Sequence, residues 1–266
     1  MANTSIIVEG IDTFVETFSP FKDFFVIIGG AACRAILSEG RFLPRKTKDI
    51  DMVLVLDRLD ADFVKTFWTF IKAGEYKCAL RKDEEGKIKY VRYSFNSEQD
   101  GYPAQIELLS HPTSELGSPE EYHIEVIKPD DDSSCLSAII LEPDYYNYLI
   151  SHTETKGGLR FASVDSLICL KVLAYLNLRE EKKKGGHVND DDLKKHRRDV
   201  IMAIANLQVG DEFIVSETIK AAIQKFIEDI NTDENAKQSI IASLKLPDEN
   251  LLNTYLETLA DSFIIQ

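Results

Sequence analysis

The chain has 266 residues, 44% of them hydrophobic, which is enough to bury one large core or two moderate ones. Its formal net charge of −14 argues against broad, non-specific binding to DNA, because neutralisation of phosphates dominates such binding. No apolar stretch approaches the ~20 residues that cross a bilayer, and the first residues lack a secretion signal, so we expect a cytoplasmic protein without a membrane partner. The spacing of the cysteines predicts neither a zinc site nor a disulfide framework: Cys33, Cys78, Cys135 and Cys169.

The first predicted elements are an amphipathic helix over residues 4–19 and an apolar strand or helix end that stops at Gly29 and Gly30. The stretch 31–37 then predicts a helix. Glycine at this junction lets a phosphate approach the backbone, and the following helix offers unpaired N–H groups and the positive end of its dipole. A plain turn is the alternative, since glycine is favoured wherever a positive φ is needed.

Two acids, Asp49 and Asp51, open a strand rich in β-branched residues. Residues two apart in a strand face the same side, so these carboxylates lie about 7 Å apart at their Cα atoms. Close like charges repel, and a hard cation such as Mg²⁺ removes that cost; a pair of such ions supports in-line phosphoryl chemistry. The alternative is a solvated strand start beside Lys46 and Lys48.

A third acid, Glu107, lies among apolar residues in the predicted strand 104–109. A helix is predicted over residues 60–73, and an alternating strand over 87–96 precedes the turn at 99–101. The strands 87–96 and 104–109 therefore form a hairpin that places Glu107 inside a sheet. The alternative is an edge-strand acid that faces water or pairs with Arg92.

The second half of the chain changes from strands to helices. Short strands are predicted over 135–141 and 159–164, separated by Pro143, a tyrosine-rich segment and the turn at 156–158. Five helices follow, each begun by a capping serine or aspartate: 163–181, 192–207, 216–231, 233–244 and 248–263. We therefore predict an α+β protein with a mixed central sheet flanked by helices, divided into a domain over 1–162 and a helical domain over 163–266.

Two charged residues of the predicted helical domain are candidates for a site. Lys171 is surrounded in sequence by apolar residues, so it must either extend to solvent or meet an anion. Asp199 follows two arginines and either orients Lys171 or a base, or is an acid in the first turn of a helix. Positive charge is clustered in two stretches, residues 41–48 and 182–198. These stretches either converge on a phosphate-binding cleft or form solvated faces.

These residues resemble the DNA polymerase beta-like nucleotidyltransferase superfamily, whose pattern is an apolar element, Gly-Gly or Gly-Ser, a helix, Asp-x-Asp and a later acid on a strand. The matching positions, in order, are Gly29, Gly30, Asp49, Asp51 and Glu107. The approach Arg41–Asp51 resembles the AbiE-type abortive-infection toxin branch. So do the lysine-bearing helix 163–174 and the basic stretch 196–200. The resemblance covers about residues 20–210.

The resemblance implies transfer of a nucleoside monophosphate from a triphosphate to an acceptor hydroxyl, with release of pyrophosphate. Asp49, Asp51 and Glu107 would hold Mg²⁺, as two ions, with Mn²⁺ as an alternative, and Lys171 would assist the chemistry. The nucleotide would contact further positions: Gly29, Gly30, Arg34, Lys48, Lys171 and Asp199. The acceptor stays open between tRNA, a protein and a small molecule, and a cognate antitoxin is an expected partner. A catalytically inactive nucleotide-binding or protein-interaction module, such as half of a toxin–antitoxin pair, is the alternative.

Overall fold

The computed structural model describes residues 8–55, 58, 60–82, 88–110, 124–127, 136–140, 142–186, 188–208 and 210–265, with backbone alone for 78–82, 88–94, 110, 124–127 and 136–140. These residues divide into two compact units. The first runs to Ala35 and continues over Arg45–Ala162, and the second comprises Ile36–Pro44 and the chain from Ser163 onward. The functional division into a catalytic and a helical domain stays a prediction.

The first unit is a mixed sheet with helices. Its helices are α1 (Ile11–Phe18), a short 3-10 helix (Ser19–Phe24), α2 (Gly29–Ile36, whose last residue falls in the second unit), α3 (Ala61–Ala73) and α4 (Pro143–Ser151). Its strands are β1 (Phe25–Ile28), β2 (Asp49–Leu54), β3 (Lys77–Lys82), β4 (Ile88–Asn96), β5 (Gln105–Ser110), β6 (Ile124–Ile127), β7 (Leu136–Ile140), β8 (Thr153–Lys156) and β9 (Leu159–Ala162).

These strands form one sheet in the described part of the chain, in the order β3-β4-β5-β2-β1-β9-β8, with β7 also pairing with β5 and with β6. The pairs β2–β5, β1–β9 and β5–β7 are parallel and the others are antiparallel. The predicted α+β class with a mixed central sheet is confirmed. The predicted hairpin of β4 and β5 is also confirmed, and it places β5 between β4 and β2.

The second unit is helical, apart from a two-stranded parallel ladder. Its helices are α5 (Val164–Lys183), α6 (Asp190–Ile204), α7 (Glu217–Thr232), α8 (Glu234–Leu244) and α9 (Glu249–Ser262), and its ladder joins β10 (Phe213–Ile214) to β11 (Phe263–Ile264). The predicted starts are confirmed to within two residues. Side chains cap α7, α8 and α9, because Ser216, Asp233 and Asp248 each accept a hydrogen bond from a first-turn N–H group.

Three elements differ from the sequence-based predictions. The described part of the first helix begins at Ile11 after the left-handed Gly10, and residues 4–7 of the predicted helix lie outside the described residues. The tyrosine-rich segment is helix α4, because Pro143 occupies its first turn, where no backbone N–H is needed. Helix α6 begins at Asp190 rather than 192, since the Asn189 side chain accepts from the Asp191 N–H.

The apolar core of the first unit lies on one face of the sheet. Strand alternation sends Phe25, Ile50, Ile106 and Phe95 to this face, and all four are buried. Helices α1 and α3 cover it with phenylalanines at helical spacing: Phe14, Phe18, Phe63, Phe67 and Phe70. Among the described residues, no helix is long and apolar enough to cross a membrane.

Phe18 is the centre of this aromatic cluster, so its removal is expected to cost about 3–5 kcal/mol of unfolding free energy. Its ring is fully buried, and its centroid lies 4.5 to 6.2 Å from those of Phe14, Phe25, Phe63, Phe67 and Phe70. Urea unfolding of Phe18→Ala, followed by fluorescence of the single tryptophan, measures the loss of unfolding free energy. Trp68 reports on this cluster because its ring centroid lies 6.0 Å from that of Phe67. Thr69→Ala on the exposed side of α3 is the control. A loss within about 0.5 kcal/mol of that control would contradict the prediction.

Candidate functional site

Four polar side chains form a patch on the sheet where β2 and β5 run side by side. In this parallel register Asp49 lies beside Gln105 and Asp51 beside Glu107. Paired residues on neighbouring strands share a face and stand about 4.8 Å apart in the backbone, and residues two apart along a strand share it too. The three predicted acids therefore lie on one face of the sheet, in two rows with Gln105.

This acidic face is opposite to the aromatic core, because its residues alternate with Ile50 and Ile106 along the two strands. Asp49 and Asp51 are half-buried, and Glu107 is 8% exposed. Glu107 lies on an interior strand of the sheet, so the edge-strand alternative is wrong. A pairing with Arg92 concerns a side chain outside the described residues.

The glycine pair lies against the acidic face. Helix α2 begins at Gly29 itself, directly after β1, so there is no separate turn. Gly29 has φ +68°, and a Cβ there would overlap Oδ2 of Asp51, which means that only glycine allows this close approach. A Cβ on Gly30 would stand 3.0 Å from Cβ of Thr47, whose hydroxyl accepts from the Asp49 N–H at 3.4 Å. The glycines thus let α2 start in close contact with Asp51 and Thr47.

The acid side chains contact protein groups in this structure. The amide of Gln105 donates to Oε1 of Glu107 at 2.6 Å. Within the described residues, no three His, Cys, Asp or Glu side chains are gathered into a group ready to hold a metal ion. Carboxylate oxygens on one face are the ligand type that Mg²⁺ prefers, so the donor chemistry and the backbone register fit this ion. The side-chain rotamers do not yet converge on one point.

The other predicted nucleotide contacts of the first unit are Arg34 and Lys48. Arg34 is half-buried in the last turn of α2, and Lys48 is exposed immediately before Asp49. Gln105 was missed by the sequence analysis. Its signal was its position two residues before Glu107 on the same predicted strand, which puts both side chains on one face.

In the second unit, Lys171 of α5 meets Asp199 of α6. Nζ of Lys171 donates to Oδ2 of Asp199 at 2.9 Å, and both side chains are buried, with 8% and 3% exposed. The alternative that Lys171 extends to solvent is therefore wrong. Asp199 lies in the middle of α6 rather than in a first turn, and Nη1 of Arg198 lies 3.6 Å from its Oδ1. One carboxylate thus faces two cations.

Further charged contacts extend along α5. Tyr175 and Arg179 follow Lys171 at four-residue spacing, and residues at this spacing share one side of a helix. The Arg179 guanidinium pairs with the buried Asp229 of α7 and donates to the Tyr175 hydroxyl at 3.1 Å. Burial raises the pKa of Tyr175, so the hydroxyl stays neutral at physiological pH. This second ion pair also escaped the sequence analysis, although the spacing was its signal.

The basic stretch 182–198 is largely neutralised by acids. Four of its lysines pair with carboxylates on α5 or α6: Lys182 with Asp190, Lys183 with Glu180, Lys194 with Asp191, and Lys195 with Asp192. Most of these side chains are well exposed, and such pairs contribute about 0–1 kcal/mol each. The solvated-face alternative therefore describes these four lysines.

A cavity of about 510 Å³ opens between α1 and α3, on the other side of the sheet from the acids. Its walls include Thr17, Thr66 and Phe70, and none of the predicted site residues lines it. Cys169 is fully buried, and burial raises the pKa of its thiol well above the usual value, so it is not a nucleophile at neutral pH.

No family model and no curated protein matches this sequence. Two crystal structures of Helicobacter pylori proteins align with the chain at low similarity. The protein JHP933 is 12% identical, with a TM-score of 0.43, over 94% of this chain and 89% of its own. A candidate nucleotidyltransferase is 13% identical, with a TM-score of 0.42, over 94% of this chain and 92% of its own. At these values the alignments carry no argument about activity or ligands.

Proposed function

We propose that the chain is a Mg²⁺-dependent nucleotidyltransferase that transfers a nucleoside monophosphate from a triphosphate to an acceptor hydroxyl. The main support for this proposal is the register of β2 on β5, which puts Asp49, Asp51 and Glu107 on one face beside Gly29. A strand pair that presents three carboxylates next to the start of a helix meets the two requirements for binding a metal-bound triphosphate. The acids supply ligands for a hard cation, and the helix start supplies N–H groups for an anion.

The residues of the acidic face then have separate tasks. Asp49 and Asp51 would hold the metal, as two ions, with Mn²⁺ as an alternative. The metal would supply charge neutralisation for the phosphates and a lowered pKa for the acceptor hydroxyl. Glu107 completes the ligand set and accepts the proton of the acceptor hydroxyl. The first N–H groups of α2, at Gly29 and Gly30, bind the β,γ end of the triphosphate. Glu107 must release the Gln105 amide for this role.

Positive side chains complete the proposal. Arg34 and Lys48 both precede Asp49 in the sequence, and the positive charge of each suits phosphate oxygens. Lys171, with Asp199 as its orienting group, neutralises charge on the departing pyrophosphate. Asp199 faces both Lys171 and Arg198, so two cations share this carboxylate. The AbiE-type toxin branch, with a cognate antitoxin, is the narrower form of this proposal, and the acceptor is tRNA, a protein or a small molecule.

The second candidate is a non-catalytic nucleotide-binding or protein-interaction module. The observation in its favour is that the acid side chains do not form a ready metal-binding group within the described residues. The hydrogen bond from Gln105 to Glu107 also occupies one carboxylate oxygen. A module of this kind would bind a triphosphate without turnover, or bind none.

Calorimetric titration of the wild type with ATP, CTP, GTP and UTP, each with and without Mg²⁺, tests the proposal. We expect metal-dependent binding of one triphosphate that is lost in Asp49→Ala/Asp51→Ala, because the variant removes two of three ligands. Glu154→Gln is the matched control, since this exposed carboxylate lies on edge strand β8 of the same sheet. The control should bind as the wild type does.

Other outcomes distinguish the candidates. Binding that is unaffected by metal and by the double substitution contradicts the proposed metal site and favours the non-catalytic module. Absence of binding for all four triphosphates contradicts both nucleotide-dependent readings and leaves a protein-interaction role.

A further inference from the structure

The segment Ile36–Pro44 connects the two predicted nucleotide motifs but belongs to the second unit. The chain leaves the first unit after Ala35, at the end of α2, and re-enters it at Arg45, four residues before Asp49. The Gly29–Gly30 pair and the Asp49–Asp51 pair both lie in the first unit. The segment that joins them packs with the C-terminal helices. Nothing in the hydrophobic pattern of the sequence predicted this assignment.

Both ends of the segment are anchored by burial. Leu37 is fully buried, and Pro44 is buried as well. Between them, Gly40 lies so close to the side chain of Asn206, just after α6, that a Cβ on Gly40 would overlap the Asn206 amide. The Asn206 amide is itself held by a donated hydrogen bond to the Met202 carbonyl at 2.8 Å. The segment therefore fits against the end of α6.

The middle of the segment contacts α9 and α6 through three groups. Arg41 donates to the hydroxyl of Tyr255 on α9 at 3.3 Å, and the Arg41 guanidinium lies 5.5 Å from the centre of the Phe42 ring. The rings of Phe42 and Tyr255 meet edge to face at 6.5 Å. Arg198 of α6 donates to the carbonyl of Leu43 at 3.4 Å.

The basic stretch 45–48 begins where this anchored segment ends. Arg45, Lys46 and Lys48 are all exposed, and the four residues from Pro44 to Lys48 reach at most about 14 Å. Fixing Leu43 and Pro44 therefore limits the conformations that this basic stretch can adopt. The position of its cations matters because misplacement of a phosphate-binding group by about 1 Å is costly to binding and catalysis.

We propose that Tyr255 and Phe42 are positioning residues that fix the segment Ile36–Pro44 on α9 and thereby place the basic stretch 45–48 for the triphosphate. This role rests on the proposed function. Neither residue touches the nucleotide.

Tryptic cleavage and triphosphate titration of Phe42→Ala, Tyr255→Ala and the double variant test the proposal. Trypsin cuts after Arg41, Arg45, Lys46 and Lys48, and mass spectrometry gives the cleavage rate at each. We expect faster cleavage in this stretch and about tenfold weaker binding of the Mg²⁺-triphosphate in each single variant. The double variant should be no worse than either single one, because both remove the same contact. Tyr255→Phe keeps the ring contact and should recover most of the affinity.

Glu257→Ala is the control, because this exposed residue lies on α9 two positions after Tyr255. It should match the wild type in both measurements. Unchanged cleavage in Phe42→Ala and Tyr255→Ala would overturn the anchoring. Faster cleavage with unchanged affinity would overturn the positioning role. A wild type that binds no triphosphate would overturn the proposed function and the positioning role with it, and the cleavage rates would then show whether the anchor itself exists.

Discussion

Substitution of Asp199 with leucine is expected to lower the free energy of unfolding by about 3–5 kcal/mol, because it leaves the Lys171 ammonium buried without its carboxylate. Both side chains are almost fully buried, and their 2.9 Å hydrogen bond joins α5 to α6. Lys171→Met should cost less, since Arg198 remains 3.6 Å from the Asp199 carboxylate and compensates part of its charge. Urea unfolding followed by far-ultraviolet circular dichroism measures both.

The double variant Lys171→Met/Asp199→Leu separates a structural role from a nucleotide-binding role. Replacing a buried ion pair by apolar groups is often close to neutral, so we expect the double variant to regain most of the stability that Asp199→Leu loses. If Lys171 contacts the triphosphate, this stable double variant still binds it weakly in a calorimetric titration. Wild-type affinity in the stable double variant would contradict the predicted role of Lys171 in the nucleotide site.

The second large effect concerns turnover at the acidic face. Asp51→Asn is expected to reduce the rate of pyrophosphate release by about 10²–10³-fold, because a metal ligand contributes several kcal/mol of transition-state stabilisation. The fold should not suffer, since Asp51 lies beside Glu107 and the substitution removes a repulsion between like charges. Pyrophosphate release from the triphosphate that binds, with Mg²⁺ and a mixture of tRNA, protein and small-molecule hydroxyl acceptors present, measures the rate.

Two comparisons sharpen this test. Glu107→Gln should reduce the rate as strongly, whereas Glu154→Gln on the exposed edge strand should leave it unchanged. A rate in Asp51→Asn that equals the wild-type rate would contradict the metal site while leaving the fold assignment intact. Thermal unfolding of each variant, measured in the same buffer, excludes loss of structure as the cause of a lower rate.

Much of the fold follows from local patterns in the sequence. Helix α3 has apolar residues at helical spacing and an aspartate cap, since Asp60 accepts from the Phe63 N–H at 2.8 Å. The hairpin of β4 and β5 follows from alternation and a glycine turn. The part of the site that lies on one strand was also predictable. Asp49 and Asp51 share a face because side chains in a strand alternate with a period of two residues.

Other features depend on residues far apart in the chain. Asp60 caps a helix through a contact three residues away, whereas Glu107 lies 56 positions after its neighbour Asp51. A local sequence pattern does not specify which distant strands pair or which of their residues lie side by side. The same reason explains why the packing of Gly29 against Asp51 was predicted only as a turn or a phosphate site.

The sequence by itself determined the α+β class, the approximate spans of the C-terminal helices, the caps of α7, α8 and α9 and the shared face of Asp49 and Asp51, because these depend on backbone periodicity and on contacts within a few residues. Only the tertiary structure decided that Gln105 joins the acidic face, that Lys171 is buried against Asp199, and that Ile36–Pro44 packs with α6 and α9. Each of these depends on packing between distant segments, where burial and hydrogen-bond geometry select one partner among many that the sequence allows.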